Sequence, residues 1–335
     1  MRGIRHLLSL SGILVLLAIP AAGQQPAIVR VGTLKLVGGA PLFVAQERGY
    51  FRRESVDVRF VYFGAAAPVA TAVVTGDVEV GATGITGTLF NLSSGGAKIW
   101  LVADRGQERP GYPLNAVVVS KATYDQGVRS LRDLRGRRLG LTTLGSTFHY
   151  QIGKLLERER LSDKDVELVP LREIQLVVQA VQTNQIAAAI LSPPFGRLAE
   201  QQGWGKVLFW VGDRLVNQVT GVFYGERMHQ DHDLGVRFMK AYVHATRDYF
   251  DACLVKPRRP ACGEIVTLTA RSIEQPEAAV QDSLPYIDHD ARLYTLDLEH
   301  QLAWYVQHGM VTAPRPVDQV VDGTFLRDAL NALRH

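Results

Sequence analysis

The chain has 335 residues, 47% of them hydrophobic and 21% charged, with a formal net charge of +4. Loss of Arg2 and Arg5 with the leader described below lowers that charge by two, and so weak a bias excludes an electrostatic case for a nucleic-acid partner. Without its leader the chain keeps about 310 residues, enough for two domains of roughly 100–200 residues each.

Arg2 and Arg5 precede a mostly apolar run over 7–19, and Ala21, Ala22 and Gly23 follow it. This pattern predicts a signal peptide over 1–23, cleaved near Gly23, and hence export. The run is shorter than the roughly 20 residues of a membrane-spanning helix. No cysteine follows it to carry a lipid anchor.

A strand is predicted over 28–34. The next stretch, 38–63, reads as a glycine-bearing loop, a short helix with Pro41 in its first turn, a stop at Gly49, and a strand in which Val56, Val58, Phe60 and Tyr62 alternate with their neighbours. A small-residue helix over 67–75 is closed by Gly76, then come a short strand over 78–81, a loop over 81–87, a helix over 88–94 and a strand over 98–103. Prolines and glycine at 109–113 break the pattern. Strands are then expected over 116–120, 138–142, 166–171 and 186–191, with a capped turn at 130–134 and helices from 145–147 to about 160 and over 173–183.

The two regions repeat one order of elements, so the chain reads as two α/β lobes of one plan, each a mostly parallel sheet flanked by helices. The first lobe takes 28–115 and the second 116–216. After a strand at 207–211, a return crossing at 217–224 begins a segment, 217–335, that rejoins the first lobe and ends in helices. Leu234, Phe238, Tyr242, Ala245 and Tyr249 recur at helical spacing there. Cys253 and Cys262 are the chain's two cysteines. In an oxidising compartment they are expected to form a disulfide worth about 2–3 kcal/mol.

Three motifs carry a family resemblance. Residues 40–51 (APLFVAQERGYF) resemble the "A-x-x-x-GYF" signature of periplasmic substrate-binding proteins of the nitrate/sulfonate/taurine type. Residues 75–81 (TGDVEVG) resemble that family's "G-x-V-D-x-G" element, and 131–141 (LRDLRGRRLGL) its "L-x-DL-x-G-K-x-[IV]-x-V" entry to the second lobe. The similarity covers about 28–250. It implies the type II periplasmic-binding-protein clamshell, a small-molecule ligand between the lobes, a periplasmic location, and the permease and ATPase of an ABC importer as partners. The expected protein is a monomeric carrier without cofactor, metal or catalytic residues. Two positions depart from the pattern: Glu79 stands where the family usually has aspartate, and Ala187 replaces an acid.

Ligands of open α/β sheets sit outside the carboxyl ends of the strands, so the candidate binding residues lie in strand-end loops. In the first lobe they are Gly38, Gly39, Ala40, Gly64, Ala65, Thr83, Gly84 and Thr86. Small residues there admit a ligand to the main chain, and tight turns explain the glycines almost as well. In the second lobe Ser146 and Thr147 open a helix, where free N–H groups and the helix dipole favour an anion and where a hydroxyl also serves as a cap. Phe148 and His149 would flank the ligand or pack in the core. Ser192 and Pro193 end a strand, and Asn217 and Gln218 lie at the return crossing. These loops contain no arginine or lysine. An anion would therefore rest on N–H and hydroxyl donors, which suits a carboxylate or sulfonate better than a phosphate and admits a neutral heterocycle equally.

Two other readings use the same scaffold: an enzyme, pyrimidine-related or a lyase, and a ligand-presenting sensor component. Against catalysis, no HExxH, GxSxG or P-loop occurs, and the sequence places no carboxylate beside His149.

Overall fold

The computed structural model describes residues 25–334; the expected leader lies outside the described residues. Ten strands form two five-stranded sheets. They are β1 (Ala27–Thr33), β2 (Val56–Tyr62), β3 (Val80–Gly84), β4 (Ile99–Glu108), β5 (Ala116–Ser120), β6 (Arg138–Leu141), β7 (Glu167–Pro170), β8 (Ala188–Leu191), β9 (Gly205–Trp210) and β10 (Asn217–Gly225). The sheet orders are β2-β1-β3-β10-β4 and β7-β6-β8-β5-β9. The repeat expected from sequence is therefore real. In each sheet three successive strands pair in parallel, a strand arriving from the other lobe takes the fourth place, and the strand that leaves takes the edge.

The sheets are mixed, which refines the expected mostly parallel pairing. The arriving strands β5 and β10 run antiparallel to both neighbours. A chain entering a sheet directly from the other lobe, with no crossover helix, has no reason to run parallel.

β3 starts later than the strand expected over 78–81, and the cause is Glu79. Its carboxylate accepts the backbone N–H of Arg30 at 2.7 Å and the Arg30 guanidinium at 2.7 Å. The ladder to β1 consequently begins at Val31 and Val80. Glu79 is nearly buried, and burial pushes its carboxyl up, but the bonds from Arg30 and the charges of Arg30 and Arg227 bring it below the usual range. The departure at Glu79 is thus an ion pair that closes a strand end, and Glu79 does not line the cavity between the lobes. Ala187 lies on the backbone path into β8, its N–H donating to Arg138 and its C=O accepting from Ser120.

Helix Ala40–Glu47 carries Pro41 in its first turn and ends before Gly49, whose φ of 69° requires glycine. It packs with helix His232–Tyr249 on the first sheet, where Phe43, Val58, Val222, Phe238 and Tyr242 share one core. Cys253 and Cys262 form the expected disulfide, joining the turn Phe250–Leu254 to helix Ala261–Ile273.

The chain crosses between sheets at 109–115 and 211–216. Both crossings are tied to one buried polar cluster. Glu108 Oε1 accepts from the Asn115 N–H at 3.1 Å and from Gln151 Nε2 at 3.0 Å. Gln151 also reaches Asn217, and Asn115 bonds Gln151 and Ser192. Glu108 Oε2 is buried without a partner. Burial raises the Glu108 carboxyl to about 8 in spite of its donors. The folded chain therefore holds a proton that the unfolded chain releases near pH 4.5, and stability from this group is lost as pH rises toward 8. Glu108→Gln keeps the acceptor and cannot ionise. Relative to the native chain it should gain at least about 1 kcal/mol between pH 5 and pH 8.5 in denaturant titrations. Parallel pH profiles for the two proteins would exclude Glu108 as the titrating group.

Candidate functional site

The lobes meet around a small cavity of about 30 Å³ at the carboxyl ends of the parallel strands. That is space for roughly two waters. Three backbone hydrogen bonds cross between the lobes beside it: Gly87 N–H to Gly145 O at 2.8 Å, Ile174 N–H to Gly64 O at 3.0 Å, and Val37 N–H to Pro193 O at 3.5 Å. Gly84 faces Thr147 so closely that a Cβ would lie 3.2 Å from its hydroxyl.

Second-lobe lining comes from Thr142, Ser146, Thr147, Phe148, Ile174 and Ser192. Ser146 caps helix Thr147–Arg158, its hydroxyl accepting from the His149 N–H, and no acidic residue occupies the first turn. From the first lobe, Thr83 and Gly84 end β3, Ala66 and Ala67 start a helix, and Leu34, Leu36 and Val219 supply apolar walls. Thr220 also lines the cavity, and its Oγ1 is buried without a partner.

The decisive group is Arg105, which sequence reasoning missed. It lies in β4, lines the cavity and is 2% exposed. One Nη2 bond reaches the neutral Thr33 hydroxyl at 3.2 Å, and Nε has no partner at all. Burial lowers the guanidinium to about 10, so it remains charged at neutral pH. The neighbouring Asp104 does not pair with it. Its carboxylate receives Gly106 N–H, Asp288 N–H, Gln107 and Gln218 instead. The expectation that an anion would find only N–H and hydroxyl donors is corrected: a buried cation faces the cleft. The strand expected over 98–103 stopped short because Asp104, Arg105 and Glu108 look like a solvated end, whereas β4 runs on, buried, to Glu108.

Thr83, Gly84, Ser146, Thr147, Phe148 and Ser192 are brought together in the lining. Gly38 and Gly39 lie behind it against the Arg105 guanidinium, with Ala40 opening the next helix. Gly64 and Pro193 serve the interlobe bonds, Ala65 precedes helix Ala66–Thr75, and Thr86 caps helix Gly87–Ser94. Asn217 and Gln218 belong to the buried hinge clusters. His149 is buried beside the cavity, and it does have a carboxylate neighbour, Asp163, at 2.9 Å. A wider groove of about 770 Å³ on the first lobe runs past Glu79 and Arg227, but those charges already pair with each other.

The profile of the family described as "NMT1/THI5 like" matches residues 38–250. Over 202 residues the chain is 29% identical to the bicarbonate transport ATP-binding protein CmpC of Synechocystis, which covers 56% of this chain but only 30% of that relative's length. Among solved structures, the periplasmic nitrate-binding protein NrtA of Synechocystis superposes with a TM-score of 0.76 at 15% identity, covering 92% of this chain and 89% of that one. The alkanesulfonate-binding protein SsuA of Xanthomonas axonopodis pv. citri, bound to MOPS, gives 0.68 at 18%, over 92% and 99%. The desulfurization enzyme DSZB gives 0.64 at 18%, over 92% and 100%. At these identities the structural likenesses establish the two-lobe fold.

Because Ser146 caps the helix that closes the cavity, Ser146→Ala should cost about 1 kcal/mol of stability. Ser146→Asp should recover that loss, since aspartate caps as well and its charge would face Arg105. Thermal melts of the unliganded proteins check both; equal losses in the two variants would remove the cap from the account.

Proposed function

We propose that this chain, which belongs to the NMT1/THI5-like family, is the exported ligand-capturing component of an ABC importer. It binds a small, singly charged oxyanion between its lobes and delivers it to a permease. One observation carries the ligand class: the buried Arg105 guanidinium lines the cavity with Nε unpartnered. A buried cation held by a single neutral hydroxyl is poorly compensated, and an anion supplies the missing partner. The helix end at Ser146 and Thr147 adds N–H donors and a favourable dipole from the other lobe.

The charge balance sets the class further. Among the described residues the lining holds one cation and no carboxylate. A monoanion is matched, a phosphate dianion is left half paired, and an amino acid finds nothing for its ammonium group. The named ligands of the relatives, bicarbonate, nitrate and alkanesulfonates, share that chemistry. Binding favours the closed arrangement because the anion touches both lobes, with the two crossings as hinges.

An enzyme on the same scaffold is the competing reading, given the likeness to DSZB. The lining residues include no cysteine, histidine or carboxylate to act as nucleophile or base, which supports the carrier.

The test is calorimetric titration of the mature protein with nitrate, bicarbonate, acetate and methanesulfonate, with mass spectrometry of the recovered anion. At least one should bind, return unchanged, and reduce the radius of gyration in solution scattering. Arg105→Met should weaken it roughly 10–100-fold, the range for losing a charged hydrogen-bond partner, without lowering the melting temperature of the unliganded protein. Affinity should hold through neutral pH and fall as pH approaches 10, where the guanidinium begins to lose its proton. Unaltered binding by Arg105→Met, or conversion of the anion to a product, overturns the proposal.

A further inference from the structure

His149 stands beside the cavity without lining it, and its ring is fully engaged. The backbone N–H of Gly145 donates to Nδ1 at 3.0 Å. A backbone N–H can only donate, so Nδ1 carries no proton, and the single ring proton sits on Nε2, 2.9 Å from the Asp163 carboxylate. Trp304 closes the ring's side in an edge contact, with centroids 5.3 Å apart. The side chain is 2% exposed.

This bond reaches further out than an ordinary capping box. There the third helical residue accepts the N–H of the cap itself. Here His149, third in helix Thr147–Arg158, accepts the N–H of Gly145, the residue before the cap. Gly145 has φ of 76°, so its peptide groups are turned in a way that few other residues sustain. Its C=O receives the Gly87 N–H from the opposite lobe at 2.8 Å. The next carbonyl, on Ser146, receives the Tyr305 hydroxyl at 3.2 Å. One glycine is therefore held at its N–H by an imidazole and at its C=O by the other lobe, and the two residues that follow it line the anion cavity.

We propose that His149 is a positioning residue for the cleft. As the neutral, Nε2-protonated imidazole it fixes Gly145, so that the Gly87–Gly145 bond forms across the lobes and Ser146 and Thr147 face Arg105. It acts through Gly145 and does not touch the ligand. The inference rests on the proposed binding function for its consequence, but the latch itself is readable without any ligand.

Three variants separate the latch from plain packing. His149→Asn places an amide oxygen where Nδ1 stood and can still accept from Gly145. His149→Phe fills the space and accepts nothing. Gly87→Pro replaces the interlobe donor with a ring carbon that forces the Gly145 C=O away, at the first helical position, where the helix itself tolerates proline after the extended Thr86. The first measurement is amide exchange in the unliganded protein. The Gly87 N–H should exchange at least tenfold faster in His149→Phe than in the native chain, and His149→Asn should stay near native. Equal protection in the native chain and both His149 variants, or equal loss in both His149 variants, overturns the proposal. Ring ¹⁵N shifts of the native protein give an independent check in case His149→Phe does not fold; a proton on Nδ1 overturns the proposal outright.

The second measurement uses methanesulfonate as the probe. His149→Phe and Gly87→Pro should each raise its Kd several-fold, and the double variant should be no weaker than either alone, because both break one linkage. Multiplying losses would mean the two residues act separately and would overturn the coupling. Should the native protein bind neither methanesulfonate nor the other monoanions, the binding function fails while the exchange and ¹⁵N results still decide the latch.

Discussion

A guanidinium buried in a protein interior demands compensation, and in this chain the protein withholds most of it. Arg105 has a threonine hydroxyl and no acid. The adjoining carboxylate, on Asp104, does not pair with it and is consumed by four other donors. The first lobe is built to keep it so. Gly38 and Gly39 let the backbone lie against the guanidinium, and a Cβ on Gly39 would come within 2.8 Å of the Phe43 ring. Such an arrangement sacrifices stability in the empty state, and under the proposed function that sacrifice would favour an anion's arrival. The free energy withheld from folding is available to binding.

A single cation could capture an anion in an open groove. What makes this a two-lobe device is that the complementary donors belong to the other sheet. The chain leaves the first sheet from β4, the strand that carries Arg105, and its last residue there, Glu108, opens the crossing. On the second lobe, helix Thr147–Arg158 presents its amino end to the cavity, and one turn later Gln151 enters the hinge cluster around Glu108. The same strand and the same helix thus serve both the cavity and the crossing. On the proposed reading, rotation of the lobes would not alter one without loading the other.

The repeat of strands and helices was legible because hydrophobic period and glycine stops report local structure directly. The disulfide was legible for the same reason: its two cysteines are close in sequence, at the edges of two helices. Six of the expected binding residues do gather in the cavity, and all six sit where a loop leaves a strand or opens a helix. Arg105 escaped because a charged residue in mid-strand is ordinarily read as a solvated end, and only tertiary burial turns it into a site. The direction of β5 and β10 escaped as well, since strand pairing depends on where the chain re-enters a sheet and leaves no mark on composition. Glu79 shows the converse. A departure from a family pattern invites a functional reading, yet its carboxylate is spent on Arg30 and Arg227 at a strand end.

The groups that hold the cleft differ in kind from the group that reads the ligand. Gly87, Gly145, Gly64 and Pro193 meet through backbone atoms, whose geometry survives most side-chain substitutions. Arg105 is one side chain, and the apolar walls around it, Leu34, Leu36 and Val219, are others. A scaffold organised in this way can change what it binds by altering a few lining side chains while closure stays intact. That division is consistent with one fold serving proteins named for nitrate, for sulfonates and for desulfurization at identities of 15–18%. Within it, on the proposed reading, the ligand class follows from charge: one buried cation facing donors from the other lobe favours a monoanion.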